Sequence, residues 1–289
     1  MSDPIGGWLL PVSMFGLMFG MGLALVPDDF RRIAKVPGPV VAGTLLQLLG
    51  MPLIGFGLAL AYELPPLLAA GLVILAACPG GMMSNMLVHI GRANTALSIT
   101  LTATATTATL FTLPLWIRAI LDRVGGEAGA IDIPLLETAG QLAGLTILPV
   151  AIGMFVRALH PPALRLERPL SAIAGVGILA AVVYSTAARP EPPAAEFAAS
   201  ILPALSLAAA ALIFGLGVPR LFGQSDGDAL AIAVELCVKN GLLGMVVASS
   251  SFGVLDPSIP ILVYTSVMVP VAIALIVAHR IRSHRRGGF

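Results

Sequence analysis

Cys78-Pro79-Gly80-Gly81-Met82-Met83-Ser84-Asn85 lies in the middle of an apolar stretch that runs from about residue 67 to 90. Roughly 20 apolar residues are enough to cross a bilayer as a helix. Proline removes a hydrogen-bond donor and clashes with the preceding turn, and two glycines beside it loosen the backbone further. One proline alone would mean a kink, which membrane helices tolerate. Pro-Gly-Gly followed by Ser-Asn means more: a broken helix that offers freed carbonyls and short polar side chains near mid-depth. A second break is expected in Val234-Glu235-Leu236-Cys237-Val238-Lys239-Asn240-Gly241, which puts an acid, a base and an amide about halfway along another apolar stretch. Charges at that depth are costly unless paired or hydrated, and they usually mark a transport task. Asn-Gly is also a favoured turn pair.

Outward from these breaks the chain repeats the same apolar texture. Of its 289 residues, 57% are apolar and 11% charged, against roughly 25% charged in a soluble domain. The mean hydropathy is +0.97. Nine spans are expected, near 7–26, 38–61, 67–90, 94–117, 135–157, 169–188, 199–218, 228–252 and 259–279. This reads as an all-α polytopic membrane protein. A formal net charge of +1 gives no basis for nucleic-acid binding. Cys78 and Cys237 both fall in apolar stretches and form no ligand cluster or disulfide framework. Met1-Ser-Asp-Pro4 lacks the basic segment and cleavage pattern of a signal peptide, so the first helix is expected to stay. With no His-rich cluster, paired-Asp motif or Gly-x-Ser-x-Gly, an enzyme is not expected.

Loop charges orient the spans. Twelve basic residues fall on one side: Arg31, Arg32, Lys35, Arg92, Arg157, Arg165, Arg168, Arg220, Arg280, Arg282, Arg285 and Arg286. Three fall on the other, Arg118, Arg123 and Arg189, which is also the side of Glu63, Glu127, Asp132, Glu191, Glu196 and Asp256. Positive charge gathers on the cytoplasmic face. The N-terminus is therefore expected outside and the C-terminus in the cytoplasm, across the inner (cytoplasmic) membrane. That requires an odd number of spans. Broken spans at matching places in two halves point to a secondary transporter with inverted repeats.

A polar constellation accompanies the breaks. Ser98 and Thr102 stand four apart and share a helix face. Hard cations such as sodium take oxygen ligands. Glu235 supplies a carboxylate, and Ser84, Asn85, Ser98 and Thr102 supply neutral oxygens. Gln47 is another amide inside an apolar span and needs a partner. The alternative is a structural polar network. Around the breaks, Met82, Met83, Asn240 and Gly241 are candidates for a substrate cleft, with plain packing as the other reading of the two methionines.

Three runs resemble the signature of the bile acid:sodium symporter family. They are Cys78-Pro-Gly-Gly-Met-Met-Ser-Asn85 with Gly91-Arg-Ala-Asn94-Thr-Ala-Leu-Ser98, Met18-Phe-Gly-Met-Gly22 with Pro27-Asp-Asp-Phe30-Arg, and Ile232-Ala-Val-Glu235 closing in Asn240-Gly241. The resemblance covers almost the whole chain. It implies two inverted repeats, here about 1–120 (without an opening helix) and 133–289, interleaved into panel and core domains with the broken helices crossing in the core. It implies a first sodium site at Ser84, Asn85, Ser98, Thr102 and Glu235. A second would use Gln47, the backbone near Glu235 to Val238, and position 239. The sodium-coupled pattern has glutamine there; this chain has Lys239.

Glu235 and Lys239 stand four apart with the acid first, the favourable order for a helical pair. Lys239 reads as a tethered cation replacing the second sodium, as a neutraliser of Glu235 and possible proton carrier, as a partner for an anionic substrate in the cleft, or as a purely structural partner. The expected function is alternating-access transport of a small organic anion, bile acid-like or a smaller carboxylate. The expected coupling is to one Na+, with no organic cofactor and with lipid as surroundings. Proton-coupled or uncoupled transport, with the Glu235–Lys239 pair replacing sodium binding, is the alternative.

Overall fold

The fold is seen in a computed structural model that describes residues 4–24, 37–124, 135–187, 194–252 and 256–285. Asp28, Asp29, Arg31, Arg32 and Lys35 fall outside these residues, as do Glu127, Asp132, Arg189, Glu191 and Arg286. Helices occupy nearly all of what is described: α1 (Pro4–Ala24), α2 (Pro37–Ala61), α3 (Pro66–Ala77), α4 (Met82–Ile90), α5 (Thr95–Val124), α6 (Leu135–Leu159), α7 (Glu167–Ala187), α8 (Ala194–Leu221), α9 (Asp226–Cys237), α10 (Gly241–Phe252) and α11 (Ser258–Arg285). By length and composition α2, α8 and α11 can each cross a membrane. A fourth candidate is α5, bent by 60° between Thr95–Thr109 and Phe111–Arg123. Pro114 accounts for that bend, because its ring displaces the carbonyl of the residue four before it. The protein is an all-helical, multi-pass membrane protein.

Local chemistry sets the helix ends. Ser225 caps α9, its Oγ accepting from the Asp228 N–H at 3.1 Å, with Asp226 and Asp228 in the positive first turn. Three helices close through a left-handed residue: Glu63 (φ 49°) after α2, Arg92 (φ 55°) after α4 and Gly223 (φ 71°) after α8. In each case the following N–H reaches back five residues, as Leu64 to Ala59, Ala93 to Val88 and Gln224 to Pro219. Two arginines expected in the basic loops bind helix ends. Arg157 donates to the Leu23 and Ala24 carbonyls of α1, at 2.7 and 3.1 Å, and Arg280 donates to the Ile90 carbonyl of α4.

Two packing groups emerge. Helix α1 packs chiefly on α6 and α7. At the α1–α6 crossing the backbones nearly touch, and a Cβ on Gly22 would strike the Val150 carbonyl. The remaining helices surround α3 and α9. Leu68–Ala77 of α3 and Ala229–Cys237 of α9 are buried on every face, as expected of helices that are apolar all round.

Both expected breaks are present. At 12 residues each, α3 and α9 stop near the middle of the bundle, and α4 and α10 resume after short extended links. The links cross: Gly80 and Lys239 form an antiparallel bridge, and the Asn240 N–H donates to the Pro79 carbonyl at 2.8 Å. Backbone groups freed at membrane depth need protein partners, and each break supplies them to the other. Side chains satisfy the exposed helix ends. Gln47 Nε2 donates to the Cys78 carbonyl and Thr109 Oγ1 to the Ala77 carbonyl, both at 3.4 Å, and the Tyr264 hydroxyl donates to the Cys237 carbonyl at 2.7 Å.

Candidate functional site at the helix crossing

The C-terminal end of α9 carries Glu235, 1% exposed, into the back of the crossing. Its carboxylate lies against Gly80, where any Cβ would strike it. The proline-glycine-glycine link therefore serves space as well as conformation. Thr102 Oγ1 donates to Glu235 Oε1 at 2.5 Å, and Ser98 Oγ lies 2.9 Å from Glu235 Oε2. Asn85 Oδ1, from the first turn of α4, lies 2.6 Å from Ser98 Oγ and 3.3 Å from Thr102 Oγ1. Ser84 Oγ closes the first turn of α4 on Gly81, donating to its carbonyl at 2.5 Å and accepting from its N–H at 3.1 Å. The five residues expected around one cation thus gather at the crossing.

Ser98 and Thr102 each hold one hydroxyl proton, and those two hydroxyls face three side-chain oxygens, both of Glu235 and Oδ1 of Asn85. The cluster is rich in side-chain oxygens around a buried carboxylate. A hard cation satisfies such a set.

A second polar group lies beside it. Gln47 sits in a π-helical turn of α2, Leu46–Gly50, a local irregularity that recurs at functional sites. Pro52 has no N–H to offer the Leu48 carbonyl four residues before it, and Trp116 Nε1 binds that carbonyl instead at 3.0 Å. Gln47 is 2% exposed, and its Oε1 has no hydrogen-bond partner. Lys239 is also 2% exposed, and its Nζ has none either. The helical Glu235–Lys239 pair expected from spacing does not form. Helix α9 ends at Cys237 and the chain turns extended at Val238 (φ −94°, ψ 88°), which carries Lys239 off the helix face. Among the described residues no ion pair joins the two.

In front of the crossing is a cavity of about 520 Å³. Met83, Asn240 and Gly241 line it, with Gly81, Val238 and Lys239. Only the backbone of Met82, the first residue of α4, is described. Asn240 caps α10, its Oδ1 accepting from the Leu243 N–H at 3.0 Å, while Nδ2 faces Met21 Sδ at 3.7 Å. Leu17 and Met21 of α1, Ala172 and Gly175 of α7, and Leu262, Thr265 and Met268 of α11 complete the walls. These wall residues were missed from sequence. They are ordinary members of apolar spans, and only Met21, inside the Met18-Phe-Gly-Met-Gly22 run, carried a signal. Gln47, expected to need a partner, has one for its Nε2 and none for its Oε1, and Thr106 Oγ1 has none either.

Comparisons with known proteins agree with this architecture. The Sodium Bile acid symporter family matches residues 11–191. Over 252 residues the chain is 29% identical to the probable sodium/metabolite cotransporter BASS1, chloroplastic, of Oryza sativa subsp. japonica, covering 85% of this chain and 60% of that protein. It is 28% identical over 250 residues to the uncharacterized sodium-dependent transporter YocS of Bacillus subtilis, covering 83% of this chain and 73% of the relative. It is 30% identical over 185 residues to the human ileal sodium/bile acid cotransporter, covering 62% of this chain and 53% of that one. The chain thus spans about 60% of the length of the plant relatives it matches. These relatives are transporters, not enzymes, and the chain belongs to the sodium bile acid symporter family.

Proposed function

We propose that this protein is a secondary active transporter of an organic anion, bile acid-like or a smaller carboxylate, coupled to one sodium ion. The carrying observation is the oxygen-rich cluster around Glu235. Ser84, Asn85, Ser98, Thr102 and Glu235 would hold the sodium that travels with the anion. Lys239 takes the place of a second sodium: a buried ammonium without a partner, on the link that pairs with Gly80. The missing Glu235–Lys239 ion pair favours this reading over one in which the two cancel and protons drive transport.

The anion occupies the cavity in front of the crossing. Its walls are apolar apart from a few groups, among them Asn240, Thr265 and Lys239, a composition typical of small-molecule pockets. Helices α4 and α10 both begin there, and their positive ends favour an anionic group. Alternating access follows from rocking the group around α3 and α9 against α1, α6 and α7, the core and panel of two inverted repeats at about 1–120 and 133–289. Nine passes cross the cytoplasmic membrane, N-terminus outside, with the exposed apolar helix faces in lipid.

The test is uptake of a labelled carboxylate panel into proteoliposomes under an imposed sodium gradient or an imposed proton gradient. Sodium-driven uptake with one sodium per anion is expected. Uptake driven only by protons, or indifferent to both gradients, would overturn the assignment.

A further inference from the structure

The central cavity has a neighbour. A second, membrane-facing groove of about 430 Å³ lies between α8 and α11, lined by Phe197, Ile201 and Leu205 on one side and Leu262, Val263, Ser266 and Val267 on the other. Ile201 and Leu205 are exposed, so the groove opens where lipid would be. Helix α11 is the wall between the two spaces. Thr265, Met268 and Val269 face the cavity, Val263, Ser266 and Val267 face the groove, and Leu262 lines both.

The wall is also built to yield. Pro270 denies the Ser266 carbonyl its helical donor. Thr265 Oγ1 and Ser266 Oγ turn back onto the Ile261 and Val263 carbonyls, at 2.7 and 2.6 Å, and such back-bonds weaken and bend helices. Both spaces have predominantly apolar walls, and no charged side chain lines the groove. The cavity adds Met21, Met83, Met245 and Met268, adaptable side chains suited to flexible apolar bodies.

We propose that Leu262 is the partition that sets how long an apolar body the transporter accepts: the charged end of an amphipathic anion stays at the crossing, and its alkyl end extends as far as Leu262, beyond which lies the groove between α8 and α11. The proposal rests on the anion reading above and specifies its substrate class.

The experiment is sodium-dependent binding of n-alkanesulfonates of increasing chain length to the full chain in lipid nanodiscs, in the wild type, Leu262→Ala and Leu262→Trp. In the wild type each added methylene should tighten binding about fourfold until the chain meets Leu262, since about 0.8 kcal/mol accompanies each buried CH₂. Leu262→Ala should move that limit to longer chains. Leu262→Trp should weaken the longest chains at least about tenfold and leave the shortest within about twofold. Short-chain binding reports whether each variant is folded, and if the tryptophan variant does not fold, the alanine variant decides alone. A limit that stays put in Leu262→Ala would overturn the proposal, as would equal effects on short and long chains. So would a variant that changes only lipid retention, which would make the groove a lipid site. Failure of the wild type to bind any member, short or long, would instead overturn the anion reading itself.

Discussion

Two polar groups flank the crossing, and they are opposite in kind. Around Glu235 side-chain oxygens of Asn85, Ser98 and Thr102 gather within hydrogen-bond distance of one another and of a buried carboxylate. Lys239 Nζ and Gln47 Oε1, by contrast, are both buried without a hydrogen-bond partner. On the reading proposed above, the first group takes a cation and the second carries one. On that reading a substitution at position 239 should change ion stoichiometry without dismantling the fold, because the links are held by backbone pairing of Gly80 with Lys239, which does not depend on the side chain.

The harshest way to break this comparison is Glu235→Gln. The amide keeps the shape, but it offers one acceptor oxygen where the carboxylate offers two to Ser98 and Thr102, and it cannot balance a cation. Removing one partner of a buried charge pair costs about 3–5 kcal/mol, so sodium affinity should fall at least about 100-fold. Sodium-driven uptake should vanish while the variant still inserts and purifies. Retained sodium-stimulated uptake would remove Glu235 from the coupling site.

The contrast also shows what could be read from residues alone. Pro79-Gly80-Gly81 and Asn240-Gly241 announced both breaks, because proline and paired glycines have few other uses at mid-span. Ser98 and Thr102 announced a shared helix face through their spacing. The five residues of the Glu235 cluster could then be grouped by chemistry. The fate of Lys239 could not. Spacing of four predicts a helical pair only where a helix continues, and α9 stops at Cys237. That end depends on the tertiary pairing of the two links, which leaves no local trace. The π turn around Gln47 and the α1, α7 and α11 walls of the cavity were hidden for the same reason. They arise from how apolar helices meet, and one apolar residue looks much like another in a sequence.

A gentler change turns the second group into the first. Lys239→Gln removes the built-in cation and supplies an amide oxygen. The sodium Hill coefficient for uptake should rise from about one toward two. The electrical signature should change too. One sodium with one monovalent anion moves no net charge, and a tethered lysine that travels out and back adds none. Two sodium ions with the same anion move one positive charge per cycle. Uptake by the variant should therefore respond to membrane potential, and wild-type uptake should not. Potential-insensitive uptake with a Hill coefficient of one in both proteins would show that Lys239 does not stand in for an ion.

The smallest effect is expected at Gln47, and it sharpens the comparison most. In the wild type this amide donates one long hydrogen bond, to the Cys78 carbonyl at 3.4 Å, and its Oε1 is unmatched. Replacing it with leucine removes an unmatched buried acceptor as well as that bond, so the net cost should be no more than about 1 kcal/mol. Thermal unfolding of Gln47→Leu should shift by only a few degrees, with sodium-driven uptake intact. In the Lys239→Gln background the same change should matter far more. There Gln47 Oε1 becomes a ligand, and its loss should return the Hill coefficient to about one and abolish the response to potential. Non-additivity is the signature of residues that share a partner. If the two substitutions simply add, Gln47 and position 239 do not serve one site.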